Sequence, residues 1–384
     1  MKLNSTPAEL SKRTEFDVEL HLRLIFGAGS IGRVGQLARE LGGRRVLVVT
    51  DAGIVKAGHA GKVIGLIEAA GLEATCFDRV RENPDTTVVD ECVAAARAAN
   101  ADLLIGLGGG SSMDAAKGCN FILTNGGRMQ DYWGIGKATK PMLPLIAIPT
   151  TAGTGSECQS FALISDPLSH QKMACGDKKA MARVAILDPE LTISQPSRVT
   201  ACTGIDAVAH AVETAVTKKR DTMSLAFSHA AFRLLAESFP IVLHEPTNLD
   251  ARAKMLLGAA FAGTAIEHSM LGGAHSAANP LTAHFDIIHG QAVGLMLPHV
   301  VRFNAQDVEA ARGYEAIADS AEALAAQLET LLKIAGLSHS LSELGVKREL
   351  IPTLAEEAAK QWTATFNPRD IGAAEFERLF AAAM

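Results

Sequence analysis

Apolar positions along the chain fall into two textures, and the change between them lies near residue 190. In the first, short runs of leucine and β-branched residues alternate with amphipathic stretches. Leu22 to Phe26 predicts a short strand, Val34 to Leu41 has helical periodicity, and Arg45-Val-Leu-Val-Val-Thr50 predicts a buried strand ending in Asp51. The alternation continues with a helix expected over Gly61 to Ala70, a strand over Glu73 to Phe77 and a helix over Thr87 to Ala99. Core strands follow at Leu103-Leu-Ile-Gly-Leu107 and Leu145-Ile-Ala-Ile148. Strand and helix taking turns in this way imply a parallel sheet wound with helices. A polar stretch then runs from Ser165 to Lys179, one more strand is expected at Ala182 to Leu187, and long Ala/Leu-rich helical patterns fill the rest. The boundary is expected between Pro189 and Pro196. It separates an α/β domain over 1–190 from a helical domain over 191–384.

Composition narrows the function classes. Nearly half of the 384 residues are hydrophobic, enough for a large core and two domains. A formal charge of −6 without a basic cluster argues against a nucleic-acid partner, whose phosphates call for a Lys/Arg stripe. The apolar runs are short and broken by Gly, Pro or charge, and Met1-Lys-Leu-Asn-Ser-Thr lacks an apolar signal core, so no membrane role is expected. The six cysteines are scattered without a CxxC pair and read as reduced, buried thiols of a cytoplasmic protein.

The chemistry is concentrated in a few stretches. Thr203-Gly-Ile-Asp-Ala-Val-Ala-His-Ala-Val-Glu213 places Asp206 and His210 one helical turn apart, on one face, among residues that suggest a buried helix. An Asp and a His rarely occupy such a place unless paired or metal-bound. Gly272-Gly-Ala-His-Ser-Ala-Ala-Asn-Pro280 and Ile287-Ile-His-Gly290 add His275 and His289. One carboxylate and three imidazoles form a ligand set suited to iron(II) or zinc. Two glycine-rich turns compete as phosphate binders. Gly27-Ala-Gly-Ser-Ile-Gly32 follows a strand, opens a helix and is trailed about twenty residues later by Asp51, which meets the dinucleotide fingerprint. Gly108-Gly-Gly-Ser-Ser-Met-Asp-Ala-Ala-Lys117 also joins strand to helix, with Ser111 expected to cap it and the helix N-terminus open to anionic oxygens. A third cluster, Ile148-Pro-Thr-Thr-Ala-Gly-Thr-Gly-Ser-Glu157, offers hydroxyls to sugar or phosphate oxygens.

Together, Gly108 to Asp114, Pro149 to Glu157, Gly204 to Glu213 and the His275/His289 pair resemble the iron-containing, or group III, alcohol dehydrogenases. Asn367-Pro-Arg369 is similar to that family's closing motif. The resemblance spans nearly the whole chain. It implies a Rossmann-like N-terminal domain and an all-α C-terminal domain, the dehydroquinate synthase-like architecture, with dinucleotide and metal meeting in the cleft between them. It implies Asp206, His210, His275 and His289 as metal ligands for Fe(2+), with Zn(2+) as the alternative ion. It places the pyrophosphate of NAD on Gly109, Gly110, Ser111, Ser112, Met113 and Asp114, and leaves the Gly27 turn structural. Asp51 matches the contact to the adenosine ribose, where a carboxylate accepts from the 2′-hydroxyl and repels a 2′-phosphate. Asn83, Thr150, Thr151, Thr154 and Lys172 match further cofactor contacts, and a dimer is expected.

There is one departure near the chemistry: Asn279 stands where the family usually has a histidine close to the nicotinamide. Asn cannot shuttle a proton, so the usual proton path and substrate preference change, with His284 and His268 as candidate substitutes. The segment before Leu22 is also longer than the family pattern. The reading is thus a metal-dependent, NAD(H)-linked alcohol dehydrogenase acting on a small alcohol or aldehyde. Alternatives are a glycerol-dehydrogenase-like zinc enzyme and a non-catalytic dinucleotide-binding protein. A lyase resembling dehydroquinate synthase would need Lys and Arg near the metal for a phosphorylated substrate, and 203–214 and 268–292 contain neither.

Overall fold

The computed structural model describes residues 22–168 and 171–384; the segment before Leu22 lies outside the described residues. The chain divides into two compact units. One comprises 22–196 with Thr247–Ala260, the other Ser197–Pro246 with Phe261–Met384.

The first unit is built on strands β1 (Arg23–Phe26), β2 (Arg45–Val49), β3 (Glu73–Phe77), β4 (Leu103–Gly108), β5 (Gly134–Ile135), β6 (Leu145–Pro149), β7 (Phe161–Ser165), β8 (Lys172–Gly176) and β9 (Val184–Leu187). Its helices are α1 (Val34–Glu40), α2 (Ala52–Lys56), α3 (His59–Ala69), α4 (Thr86–Ala98) and α5 (Gly110–Asn125). Six strands form a parallel sheet in the order β1-β9-β6-β4-β2-β3. Every residue of β4 and β6 is buried, as expected for parallel strands covered on both faces. Side chains two apart, Val46 and Val48, Ile105 and Leu107, Ile146 and Ile148, Val184 and Ile186, pack with Val34 and Leu37 of α1 and Val63 and Ile67 of α3. Each such aliphatic side chain contributes about 1.5–3 kcal/mol relative to exposure. Gly106 turns the other way, where an added Cβ would stand 3.1 Å from the Met113 backbone, so α5 lies close against the middle of the sheet.

The polar stretch Ser165 to Lys179 differs from its sequence reading. It contains β8, which pairs antiparallel with β7 in a small sheet ordered β5-β8-β7. Lys172-Met-Ala-Cys-Gly176 is short and ends in glycine, so its strand character comes from the pairing rather than from an apolar run.

The second unit is helical: α6 (Ser197–Thr214), α7 (Thr222–His244), the later part of α8 (Leu249–Ser269), α9 (Gly273–Phe285), α10 (His289–Asn304), α11 (Val308–Glu315), α12 (Ala321–Ile334), α13 (Ile351–Ala359) and α14 (Ala373–Ala382). Helix α6 packs against α7 and α10 and is buried all round from Gly204 to Thr214, as its run of small apolar residues predicts. No helix among the described residues is long and apolar enough to cross a membrane.

Candidate active site

In the helical unit, Asp206 and His210 project from α6 and His275 from the first turn of α9, and all three are buried. One donor atom from each lies within 4.8 Å of the others. Asp206 Oδ1 stands 3.6 Å from His210 Nε2 and 3.5 Å from His275 Nε2. The His210 and His275 rings are stacked, with centroids 4.8 Å apart and planes inclined by 20°. The His289 centroid is 5.5 Å from that of His275. His289 opens α10 and is only partly buried, so it stands beside the three rather than within their tight cluster. The next residue explains how α10 comes so near: a Cβ on Gly290 would meet the Cys202 carbonyl oxygen of α6 at 2.0 Å, so only glycine permits this approach.

The electrostatics suit a cation. Burial opposes ionisation of Asp206, yet the neighbouring imidazoles of His210, His275 and His289 hold its carboxyl well below the usual range. Burial likewise opposes a charged His275, but Glu213 and Asp206 more than offset it and raise the imidazole to about 9. Asp206 Oδ1 and His275 Nε2 find no geometrically sound hydrogen bond among the described residues. Separations near 3.5 Å are too long for a good hydrogen bond. They match two ligands that each stand about 2.1 Å from one shared ion. The residues therefore fit a divalent metal with imidazole and carboxylate ligands.

The sheet unit holds the residues expected to contact the cofactor. Asp51 follows β2 and caps α2, its Oδ1 accepting from Ile54 N–H at 3.0 Å. An added Cβ on Gly108 would lie 3.4 Å from Asp51 Oδ2, which puts this carboxylate beside the β4–α5 turn. The expectation that Ser111 caps α5 is not met. The helix begins at Gly110 with Gly109 as N-cap, which has no side chain, and Ser111 Oγ instead accepts from Asn83 N–H at 3.3 Å. Among the described residues, the first N–H groups of α5 thus lack a side-chain cap. Asn83 Oδ1 accepts from Lys172 Nζ at 3.0 Å, so Asn83, Ser111 and Lys172 form one chain of contacts. Gly109 faces Thr151 and Gly110 faces Thr154, at 3.5 and 2.9 Å from where a Cβ would stand. Thr150 is buried at the end of β6. Ser112 Oγ and Thr151 Oγ1 are buried without a hydrogen-bond partner among the described residues. An uncapped helix N-terminus flanked by unsatisfied hydroxyls fits an anionic, oxygen-rich group such as a pyrophosphate. Met113 and Asp114 point inward: Met113 is fully buried, and Asp114 Oδ1 accepts from Ser156 Oγ at 2.7 Å.

At the Gly27 turn the same kind of helix start is filled from within. Gly29 and Ile31 donate their N–H groups to the two oxygens of buried Asp188 at 3.2 and 3.1 Å. A carboxylate of the chain itself occupies the place where an anion would bind.

Comparison with known proteins covers both parts of the chain. The iron-containing alcohol dehydrogenase model matches residues 22–189, and the Fe-containing alcohol dehydrogenase family C-terminal model matches 200–384. The chain belongs to the iron-containing alcohol dehydrogenases. It is similar to the NAD-dependent methanol dehydrogenase of Bacillus methanolicus, with 35% identity covering 90% of this chain and 93% of that protein. Its fold is similar to a 1,3-propanediol oxidoreductase, with TM-score 0.90 and 33% identity over 94% of this chain and 98% of the other. It also resembles a sulfoacetaldehyde reductase from Bifidobacterium kashiwanohense in complex with NAD+, with TM-score 0.87 and 29% identity over 96% and 98% of the two chains. As an iron-containing alcohol dehydrogenase it is a metal-dependent, NAD(H)-linked oxidoreductase acting on CH–OH groups, and the family's cofactors are NAD and iron.

Three buried groups near these residues carried no assignment in the sequence. Glu213 Oε2 accepts from His275 Nδ1 at 2.6 Å, and its spacing from Asp206 and His210, seven and three residues, was a legible signal. Asn367 accepts from Gly273 N–H at 3.1 Å, which gives the Asn-Pro-Arg motif a physical task at the start of α9. Lys117 donates to Ser156 O, Ser156 Oγ and Phe161 O at 2.7–2.9 Å, fastening the Thr150–Glu157 loop to α5. Asn279 donates to Gln361 Oε1 at 2.9 Å. His284 is exposed, and its Nε2 lies 2.8 Å from Glu357 Oε2. His268 is partly buried near the end of α8.

Proposed function

We propose that the chain interconverts a small alcohol and its aldehyde, with Asp206, His210, His275 and His289 holding the metal and the β4–α5 turn holding NAD. The observation that carries this reading is the cluster of buried Asp206, His210 and His275 donor atoms within 4.8 Å, in a chain of this family. When bound, the metal supplies Lewis acidity and the nicotinamide supplies the carbon that accepts or returns hydride. Asp206 stays ionised and neutralises part of the ion's charge. The N–H groups of Gly110 and Ser111, with the hydroxyls of Ser112, Thr151 and Thr154, hold the pyrophosphate, and Asp51 selects the 2′-hydroxyl. Asn279 cannot relay a proton. Its amide, oriented by Gln361, offers hydrogen bonds to a polar group of the substrate beyond the carbinol carbon.

The small substrate is supported by the names of the relatives, which concern methanol, 1,3-propanediol and sulfoacetaldehyde. The lack of Lys and Arg in 203–214 and 268–292 gives no support to a phosphorylated one. The functional division is placed at residue 190, with 1–190 serving the dinucleotide and 191–384 the metal. A cytoplasmic homodimer without nucleic-acid partners is the accompanying proposal. It is supported by the net charge of −6, the free cysteines, and strand β1, which among the described residues pairs on one side and exposes Leu24 and Phe26. The test is a panel of short alcohols and aldehydes, with protein reconstituted separately with iron(II) and zinc(II), followed at the NADH absorbance band. Turnover of short primary substrates with at least one metal is expected; none with either metal would overturn the reading.

A further inference from the structure

Behind the cluster of donor atoms lies a carboxylate that does not face it. Glu213 lies three residues beyond His210 on α6, so it shares that face of the helix. It is buried and receives three donors: Gly272 N–H on Oε2 at 3.1 Å, Ala274 N–H on Oε1 at 2.7 Å, and His275 Nδ1 on Oε2 at 2.6 Å. Two of these donors are backbone N–H groups, which cannot reverse direction. A carboxylate that accepts from both is favoured in its ionised form and has no proton to give to Nδ1. The proton of the 2.6 Å contact therefore sits on the imidazole.

We propose that Glu213 is the positioning residue of the metal centre, holding His275 as the tautomer protonated on Nδ1 so that Nε2 presents its lone pair beside Asp206. This rests on the reading that Asp206, His210 and His275 hold the ion. The same carboxylate fixes the ring's direction, because it also grips the backbone on either side of Gly273. Helix α9 has Gly272 as N-cap and no side-chain cap of its own. Glu213 takes two of its first N–H groups, and Asn367 Oδ1 takes the one between them, at Gly273. Asn367 is itself braced by a reciprocal amide pair with Asn304, at 2.7 and 3.1 Å. The fit is close: a Cβ on Gly272 would stand 3.1 Å from Asn367 Oδ1 and 3.2 Å from Glu213 Oε1. Glu213 touches the imidazole and Asn367 does not. The two anchors therefore separate support of the ligand ring from support of the helix.

That difference supplies the test. Cobalt(II) and zinc(II) affinities are measured by chelator competition for the full chain, Glu213→Gln, Asn367→Ala and His275→Ala, with the visible spectrum of the cobalt forms and the thermal midpoint of the metal-free forms. Loss of a partner that orients a ligating histidine lowers metal affinity about 10–100-fold. That loss, with displaced cobalt bands, is expected for Glu213→Gln. Asn367→Ala is expected to lower the thermal midpoint while changing metal affinity by less than about threefold and leaving the bands in place. The proposal is overturned if Glu213→Gln keeps the parent affinity and spectrum, or if Asn367→Ala reproduces both changes. If Glu213→Gln does not fold, Glu213→Asp, which keeps the charge but shortens the reach, is judged by the same thresholds. His275→Ala separates the two levels. Parent-like metal binding in that variant would remove the ligand reading itself, whereas its loss beside a parent-like Glu213→Gln would remove only the role of Glu213.

Discussion

The two units present their candidate ligand-binding groups by opposite means. The helical unit offers side chains: Asp206 and His210 on one helix and His275 on another, with donor atoms 3.5–3.6 Å apart, and His289 on a third helix whose close approach only glycine permits at position 290. The sheet unit relies largely on backbone: a glycine turn at the end of a buried strand leaves the first N–H groups of α5 without a side-chain cap. A side-chain site can be removed by a single change of residue type. A backbone site is lost mainly when something fills or displaces the turn, so the two should fail independently.

The largest expected effect tests that independence. His275→Ala should lose its metal and about a thousandfold or more of turnover, since Lewis acidity is worth several kcal/mol. NADH binding, followed by fluorescence of the bound reduced nicotinamide, should persist. The reciprocal change is Gly110→Ala, whose Cβ would stand 2.9 Å from Thr154. It should raise KM for NAD about tenfold, or about 1.4 kcal/mol, at unchanged metal content. Joint loss of metal and NAD in either variant would break the comparison.

Asp51→Asn sharpens the sheet side. The amide keeps an oxygen to cap α2 at Ile54 but removes the charge, so the preference for NAD over NADP should fall about tenfold. Equal specificity ratios before and after would take Asp51 away from the ribose.

A further contrast lies between two buried carboxylates, Asp206 among imidazoles and Glu157 in the loop after β6. Burial pushes Glu157 from 4.5 up to about 7, with its own backbone N–H and the Lys117 charge acting in the other direction. Its Oε1 has no hydrogen-bond partner among the described residues. Between those two values the folded chain holds a proton that the unfolded chain has released. The resulting stabilisation is complete below about pH 4.5 and is lost as pH rises through about 7, an effect of order 3 kcal/mol. Urea unfolding of parent and Glu157→Gln at pH 5 and pH 8 should show the variant losing less stability across that interval. The smallest effect is expected from Asn279→His: a several-fold rise in KM for the best substrate, with no new ionisation in the pH profile of turnover. An unchanged KM accompanied by such an ionisation would point to a proton relay.

Much of this was legible because it depends on local spacing. Asp206 and His210 lie one turn apart on a helix whose neighbours are all small and apolar, and the strand runs of the parallel sheet are too hydrophobic for any other place. Strand β8 was hidden because pairing with β7, rather than composition, makes Lys172-Met-Ala-Cys-Gly176 extended. Ser111 was misread as a cap because Ser near a helix start usually is one, and the register of the turn, with Gly109 as N-cap, emerges only in three dimensions. Asn367 lies 94 residues from Gly273, whose N–H it accepts, and no periodicity links such positions.

The filled glycine turn at Gly27 has an electrostatic consequence. Asp188 does more than occupy space: it places a negative charge at the positive end of the helical segment that follows, cancelling the field that would draw in a phosphate. An incoming anion about 4 Å from that charge would meet a repulsion of about 4 kcal/mol at an effective dielectric near 20, roughly a thousandfold in affinity. Two turns with nearly the same glycine pattern are thus told apart by charge, and a single buried carboxylate contributed from 157 residues away makes one of them a blind socket.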